Sequence, residues 1–104
     1  MYVADSGIHR IHVLTDGQVI QKIQGVQSPS GVCFDHNRQL LYVVEQGKCQ
    51  VSVFTPNGDH LYSFGTKGTK EGELDSPMGV AVDGDGYVYV CDSGNGRIQV
   101  FSML

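Results

Sequence analysis

One pattern is written three times along these 104 residues. Residues 2–14 (YVADSGIHRIHVL), 42–54 (YVVEQGKCQVSVF) and 89–101 (YVCDSGNGRIQVF) align without a gap. They begin at residues 2, 42 and 89, so the spacing is 40 residues and then 47, in the range of propeller blades and solenoid turns. A unit of this size buries little surface alone and needs neighbours stacked beside it. The repeat therefore points to a scaffold whose specificity resides in its variable loops.

Within the pattern, Val51-Ser-Val-Phe54 and Ile98-Gln-Val-Phe101 alternate apolar and polar residues at period two, as half-buried strands do. Gly31-Val-Cys-Phe-Asp35 and Gly79-Val-Ala-Val-Asp83 are more continuously apolar and suit strands covered on both faces. Asp16-Gly17, Asn57-Gly58 and Asp83-Gly-Asp-Gly86 tolerate positive φ and close hairpins. The unit is thus expected to be four antiparallel strands, in the middle repeat at 31–35, 40–44, 50–54 and 60–64. The expected fold is all-β, a partial β-propeller with an incomplete blade over 2–23, a complete one over 28–64 and an incomplete one over 76–101. An open array leaves sheet edges in water. That predicts either a piece of a longer protein or head-to-tail self-association between copies.

A net charge of −4 argues against a dedicated nucleic-acid binder, DNA or RNA, whose affinity would rest on basic residues neutralising phosphates. The longest apolar runs fall short of a membrane span and the first residues lack the layout of a signal peptide, so a cytoplasmic chain is expected. The three cysteines form no CxxC pair. Alignment puts Cys33 with Ala81, and Cys91 with Val44 and Ala4, at small apolar core positions. Cys49 aligns with His9 and Gly96 in a turn, where exposure is expected. His9, His12, His36 and His60 fall at unrelated repeat positions, and the 83–86 turn is too short for a calcium-binding loop. No metal and no cofactor are expected.

These features together resemble the NHL repeat, a four-stranded propeller blade found in tripartite-motif ubiquitin ligases and in peptide-amidating lyases. The resemblance is densest over Ser76-Pro77-Met-Gly79-Val-Ala-Val-Asp83 and Tyr87 to Phe101. A chain with no Trp cannot carry the signature of WD40 blades. The resemblance implies NHL-type blades and a non-enzymatic interaction module, the substrate-recognition part of a tripartite-motif-type ligase. The alternative it leaves is a fragment of a propeller enzyme of the amidating-lyase kind. In that family a His follows the Pro that opens a blade, whereas Ser30 follows Pro29 and Met78 follows Pro77 here.

The resemblance also brings an acid and an Arg five residues apart, present as Asp5/Arg10 and Asp92/Arg97 and replaced by Glu45/Gln50 in the middle repeat. At this spacing an acid ending one strand and an Arg opening the next pair across a hairpin. The middle repeat is therefore expected to lack this pair and to be held mainly by packing. Arg97→Ala is expected to cost about 1 kcal/mol. Because strands alternate direction, the inter-blade connectors and the turns between second and third strands emerge on one face, the upper face. It collects Arg10, Lys48, Lys67, Lys70 and Arg97, the candidate binding residues. The opposite face carries Asp16, Asp35, Asp59, Asp83 and Asp85 against Arg38, a bias that hairpin-turn chemistry also explains. The expected partner is a protein, with single-stranded RNA as the alternative, although the upper loops hold no aromatic residue for base stacking. The connector Gly65–Asp75, rich in glycine and charge, is expected to be solvated rather than part of the core.

Overall fold

The computed structural model describes residues 2–5, 10–15, 18–23 and 26–102. Its first antiparallel sheet holds strands β1 (Tyr2–Asp5), β2 (Arg10–Thr15) and β3 (Gln18–Ile23). The second holds β4 (Pro29–Asp35), β5 (Leu40–Glu45), β6 (Gln50–Phe54) and β7 (His60–Phe64) in chain order. Two short strands, β8 (Thr66–Lys67) and β9 (Glu73–Leu74), then pair in parallel within the connector. The third sheet holds β10 (Pro77–Val82), β11 (Tyr87–Asp92) and β12 (Arg97–Ser102). The chain is a partial β-propeller of one four-stranded blade between two three-stranded ones.

Hairpin chemistry sets the spacing of these strands. Gly58 and Gly86 take positive φ of 91° and 89° in their turns, which costs glycine little. On the lower face, the Asp35 carboxylate accepts from the N–H groups of Asn37 and Arg38, and Asp83 does the same for Asp85 and Tyr87. These two lower-face acids therefore serve their own turns. The Asp16-Gly17 turn and His9 lie outside the described residues.

Two apolar seams hold the blades together. β5 reads Leu-Leu-Tyr-Val-Val-Glu, and its alternate residues face opposite ways. Leu41 and Val43 join Ile11, Ile23, Val26 and Phe54 against the first blade. Tyr42 and Val44 join Val51, Val53, Val88 and Val90 against the third. Burial pushes the Tyr42 phenol up to about 12, with Tyr62 and Asp35 adding to the shift. β4 packs on both β1 and β10. Its approach to the third blade is close enough that a Cβ on Gly31 would sit 2.7 Å from the Met78 carbonyl oxygen.

The cysteines differ from expectation. Cys91 is exposed, Cys33 is half-buried and Cys49 is buried. Along β11 the residues alternate, with Val88, Val90 and Asp92 buried toward the second blade and Tyr87, Tyr89 and Cys91 exposed on the opposite face. Cys91 therefore occupies a repeat position that is core only where another blade covers it. Cys49 adopts φ 52°, like Gly96 at 63°, and its thiol turns into the seam beside Val51 and Leu74.

Candidate functional site

The second strand of each repeat ends in an acid, and in the two repeats whose side chains are described there that acid organises the upper face. Asp92 is wholly buried. It accepts from the Asp75 backbone N–H at 2.7 Å, Asn95 Nδ2 at 3.0 Å, Arg97 Nε at 2.8 Å and Gln99 Nε2 at 3.1 Å. Burial alone would raise its pKa, but these hydrogen bonds outweigh it and hold the carboxyl down at about 2.

The same side chains reach onward to the connector. Arg97 donates to the carbonyls of Lys70 and Glu73 at 2.9 and 3.1 Å. Gln99 donates to the Glu73 carbonyl at 2.7 Å and accepts from the Gly72 N–H at 3.0 Å, and Asn95 donates to the Gly68 carbonyl at 2.9 Å. The Asp92 cluster is a clamp on residues 68–75. That corrects the expectation of a freely solvated connector: Leu74 is fully buried in the seam, where it also closes on Gly65.

The middle repeat carries the same clamp in different residues. Glu45, only 2% exposed, accepts from the Gln27 N–H at 2.8 Å, from Gln50 Nε2 at 3.1 Å and from the Ser52 hydroxyl. Lys48 Nζ stands 3.8 Å away. The expectation that packing alone holds this repeat is therefore corrected: Gln50 keeps the N–H donor of arginine without its charge, and the carboxylate stays satisfied. Offsets of three, five and seven residues from the acid give Lys48, Gln50 and Ser52 here and Asn95, Arg97 and Gln99 in the third repeat. Asn95, Gln99 and Ser52 were not singled out from sequence, although they share one side of the repeat with the pair that was.

Of the predicted binding residues, Lys48, Lys67 and Lys70 are exposed on the upper face. The Arg97 side chain keeps 31% exposure, but its guanidinium is spent on the clamp. Asp5 and Arg10 are register partners across β1 and β2; their side chains lie outside the described residues.

Beside the Glu45 clamp lies a groove of about 410 Å³ lined by Glu45, Lys48, Gln50, Ser52, Phe54, His60 and Ser63. Ser52 and Ser63 hydroxyls are 2.8 Å apart, and Ser63 is 2.9 Å from His60 Nε2. The carboxylate in this chain binds a hydroxyl rather than the imidazole, unlike the order of a serine-hydrolase triad, where the acid orients the His. Among the described residues, no group of three or more His, Cys, Asp or Glu side chains converges to hold a metal ion. Nor is any described helix long and apolar enough to cross a membrane.

A family model described as the NHL repeat matches residues 74–101. Among curated relatives, the E3 ubiquitin-protein ligase TRIM71 of Bos taurus is 40% identical over 72 residues, covering 67% of this chain and 8% of that protein. TRIM71 of Rattus norvegicus is 43% identical over 65 residues, 62% of this chain and 7% of that protein. The E3 ubiquitin-protein ligase NHLRC1 of Rattus norvegicus is 32% identical over 77 residues, 74% of this chain and 19% of that protein. The chain thus spans only a small part of the relatives it matches. Among solved structures, an auxiliary nutrient binding protein from Bacteroides thetaiotaomicron superposes with a TM-score of 0.69 over 97% of this chain and 34% of that one. At 14% identity, that likeness bears on the fold alone.

Proposed function

Because this chain carries an NHL repeat within an array of propeller blades, we propose that it is a non-enzymatic interaction module that presents its upper-face loops to a protein partner. We place it as the substrate-recognition part of a ubiquitin ligase, since the relatives named above are ligases and the ligation chemistry would belong to other parts of such a protein. The observation that carries this reading is the pairing of buried clamps with exposed lysines. Asp92 and Glu45 fix the connectors and turns from beneath, while Lys67 and Lys70 stand out in solvent and Lys48 lies half-exposed, 3.8 Å from Glu45. Loops ordered before binding lose less entropy on docking, and exposed cations on them steer an acidic partner.

The test is affinity capture of proteins from cell extract by the tagged chain, compared with a variant carrying Lys48→Glu, Lys67→Glu and Lys70→Glu. A protein held by the parent and lost from the charge-swapped variant, while circular dichroism is unchanged, supports the reading. An unchanged set of captured proteins would sink it. If RNA rather than protein is captured through the same lysines, the protein-partner reading fails.

A further inference from the structure

The two seams between blades are built alike and closed differently. At the seam between the second and third blades, connector peptide groups bond to Asn95, Arg97 and Gln99 through the carbonyls of Gly68, Lys70 and Glu73 and the N–H of Gly72, and a cavity of about 640 Å³ remains on the outer side of Glu71, Gly72, Arg97 and Gln99. At the seam between the first and second blades, the equivalent side chains are Lys48, Gln50 and Ser52. The connectors end alike, in Val26-Gln-Ser-Pro29 and Leu74-Asp-Ser-Pro77. Val26 and Leu74 are both fully buried, and Gln27 and Asp75 both donate their N–H to the clamp acid. Upstream they differ. Residues 65–73 separate Phe64 from Leu74, whereas only Gln24 and Gly25 separate Ile23 from Val26. The stretch that covers one clamp has no counterpart of comparable length at the other, and the groove of about 410 Å³ lies there.

We propose that this groove binds an extended peptide segment of a partner protein, held through its backbone as residues 68–73 are held within this chain. The chemistry of the lining fits a main chain. Gln50, whose two amide hydrogens go to Glu45 and Ser52, offers its side-chain carbonyl as an acceptor, as Gln99 does toward the Gly72 N–H. The Lys48 ammonium, 3.8 Å from Glu45, supplies donors from the repeat position that Asn95 holds. Ser63 and His60 extend the row of polar groups, which suits a ligand with one N–H and one carbonyl per residue. The buried Glu45 fixes Gln50 and Ser52 from behind, so they need little ordering when the segment arrives. The aromatic ring of Phe54 forms an apolar end to the groove. With Lys48 and His60 on the rim, a segment bearing an acidic side chain is favoured, as the connector itself bears Glu71 and Glu73. This site shares Lys48 with the upper-face loops but stands whether or not Lys67 and Lys70 touch a partner.

The test is titration of the ¹⁵N-labelled full chain with a blocked synthetic peptide copying residues 67–73, read as amide chemical shifts. Saturable shifts are expected at Lys48, Gln50, Ser52 and Ser63. Ser63→Tyr, which fills the groove from an exposed position, is expected to weaken binding by about tenfold, and Lys48→Ala, at a half-exposed side chain, by a few fold. Shifts confined to Asn95, Arg97 and Gln99 would mean that the peptide displaces its own connector, and would overturn the proposal. The same holds for an absence of saturable shifts at millimolar peptide, for variants that fold and bind as the parent does, and for a groove that responds only to a single-stranded RNA oligonucleotide.

Discussion

Arg97 does three things at once: it neutralises Asp92 and donates to the carbonyls of Lys70 and Glu73. Truncating it strips a buried carboxylate of its cation and removes one of two donors from each of two connector carbonyls, leaving Gln99 on Glu73 and the Glu73 N–H on Lys70. Arg97→Ala is therefore expected to cost about 2–3 kcal/mol in chemical denaturation, more than the single turn contact legible in the sequence. The Asp92 carboxyl gives a second handle. Its pKa falls from 3.8 in the reference state to about 2 in the folded chain. Both states are ionised above about pH 5, so the contribution of the cluster is complete there; as pH falls the unfolded chain binds its proton first, and the contribution is lost down to about pH 2. Denaturation midpoints should drop between those pH values, and Asp92→Asn should flatten that part of the profile. The acid and its partner five residues on were readable because charge types stand out at a fixed spacing. The Glu45–Gln50 version was not, because a sequence shows the lost charge more plainly than the retained N–H.

At the scale of the element, strands were the legible part and the connector was not. β5 announces itself as an apolar run between turn signals, and the alternation of its side chains into two seams follows from the pleat. Leu74 gives no such signal, being one apolar residue after a run of glycines and charges. Its burial comes from outside the segment, from a clamp residing on β11 and β12 and from a pocket between two blades. Leu74→Ala is expected to cost about 2–5 kcal/mol, as removal of a fully buried leucine does. The same variant should speed hydrogen exchange at Gly68, Gly72 and Asp75, whose N–H groups are bonded within the connector or to the clamp. Normal protection at those amides would show that the clamp orders the connector without the leucine.

Across the whole molecule, repeat alignment tells which positions correspond but not which are covered. Tyr42 and Val44 are core because the third blade lies on them, whereas their counterparts Tyr89 and Cys91 are exposed. The same face of the third blade shows Ile98 at 68% and Val100 at 56% exposure. A continuous apolar sheet face of this kind promotes association. The 104-residue chain is expected to sediment increasingly as oligomer as its concentration rises, and Ile98→Lys with Val100→Lys to shift it toward monomer. A concentration-independent monomer in both forms would show that this face is not sticky.

The unequal cover over the three thiols turns the chain into its own clock. A thiol-specific reagent added in excess meets Cys91 in open solvent, Cys33 under partial cover and Cys49 inside the seam between the second and third blades. Modification of Cys91 then marks the start of the reaction, and the delay before Cys49 reacts measures how often that seam parts. A ligand that fastens the two blades together would lengthen the delay without altering the first event.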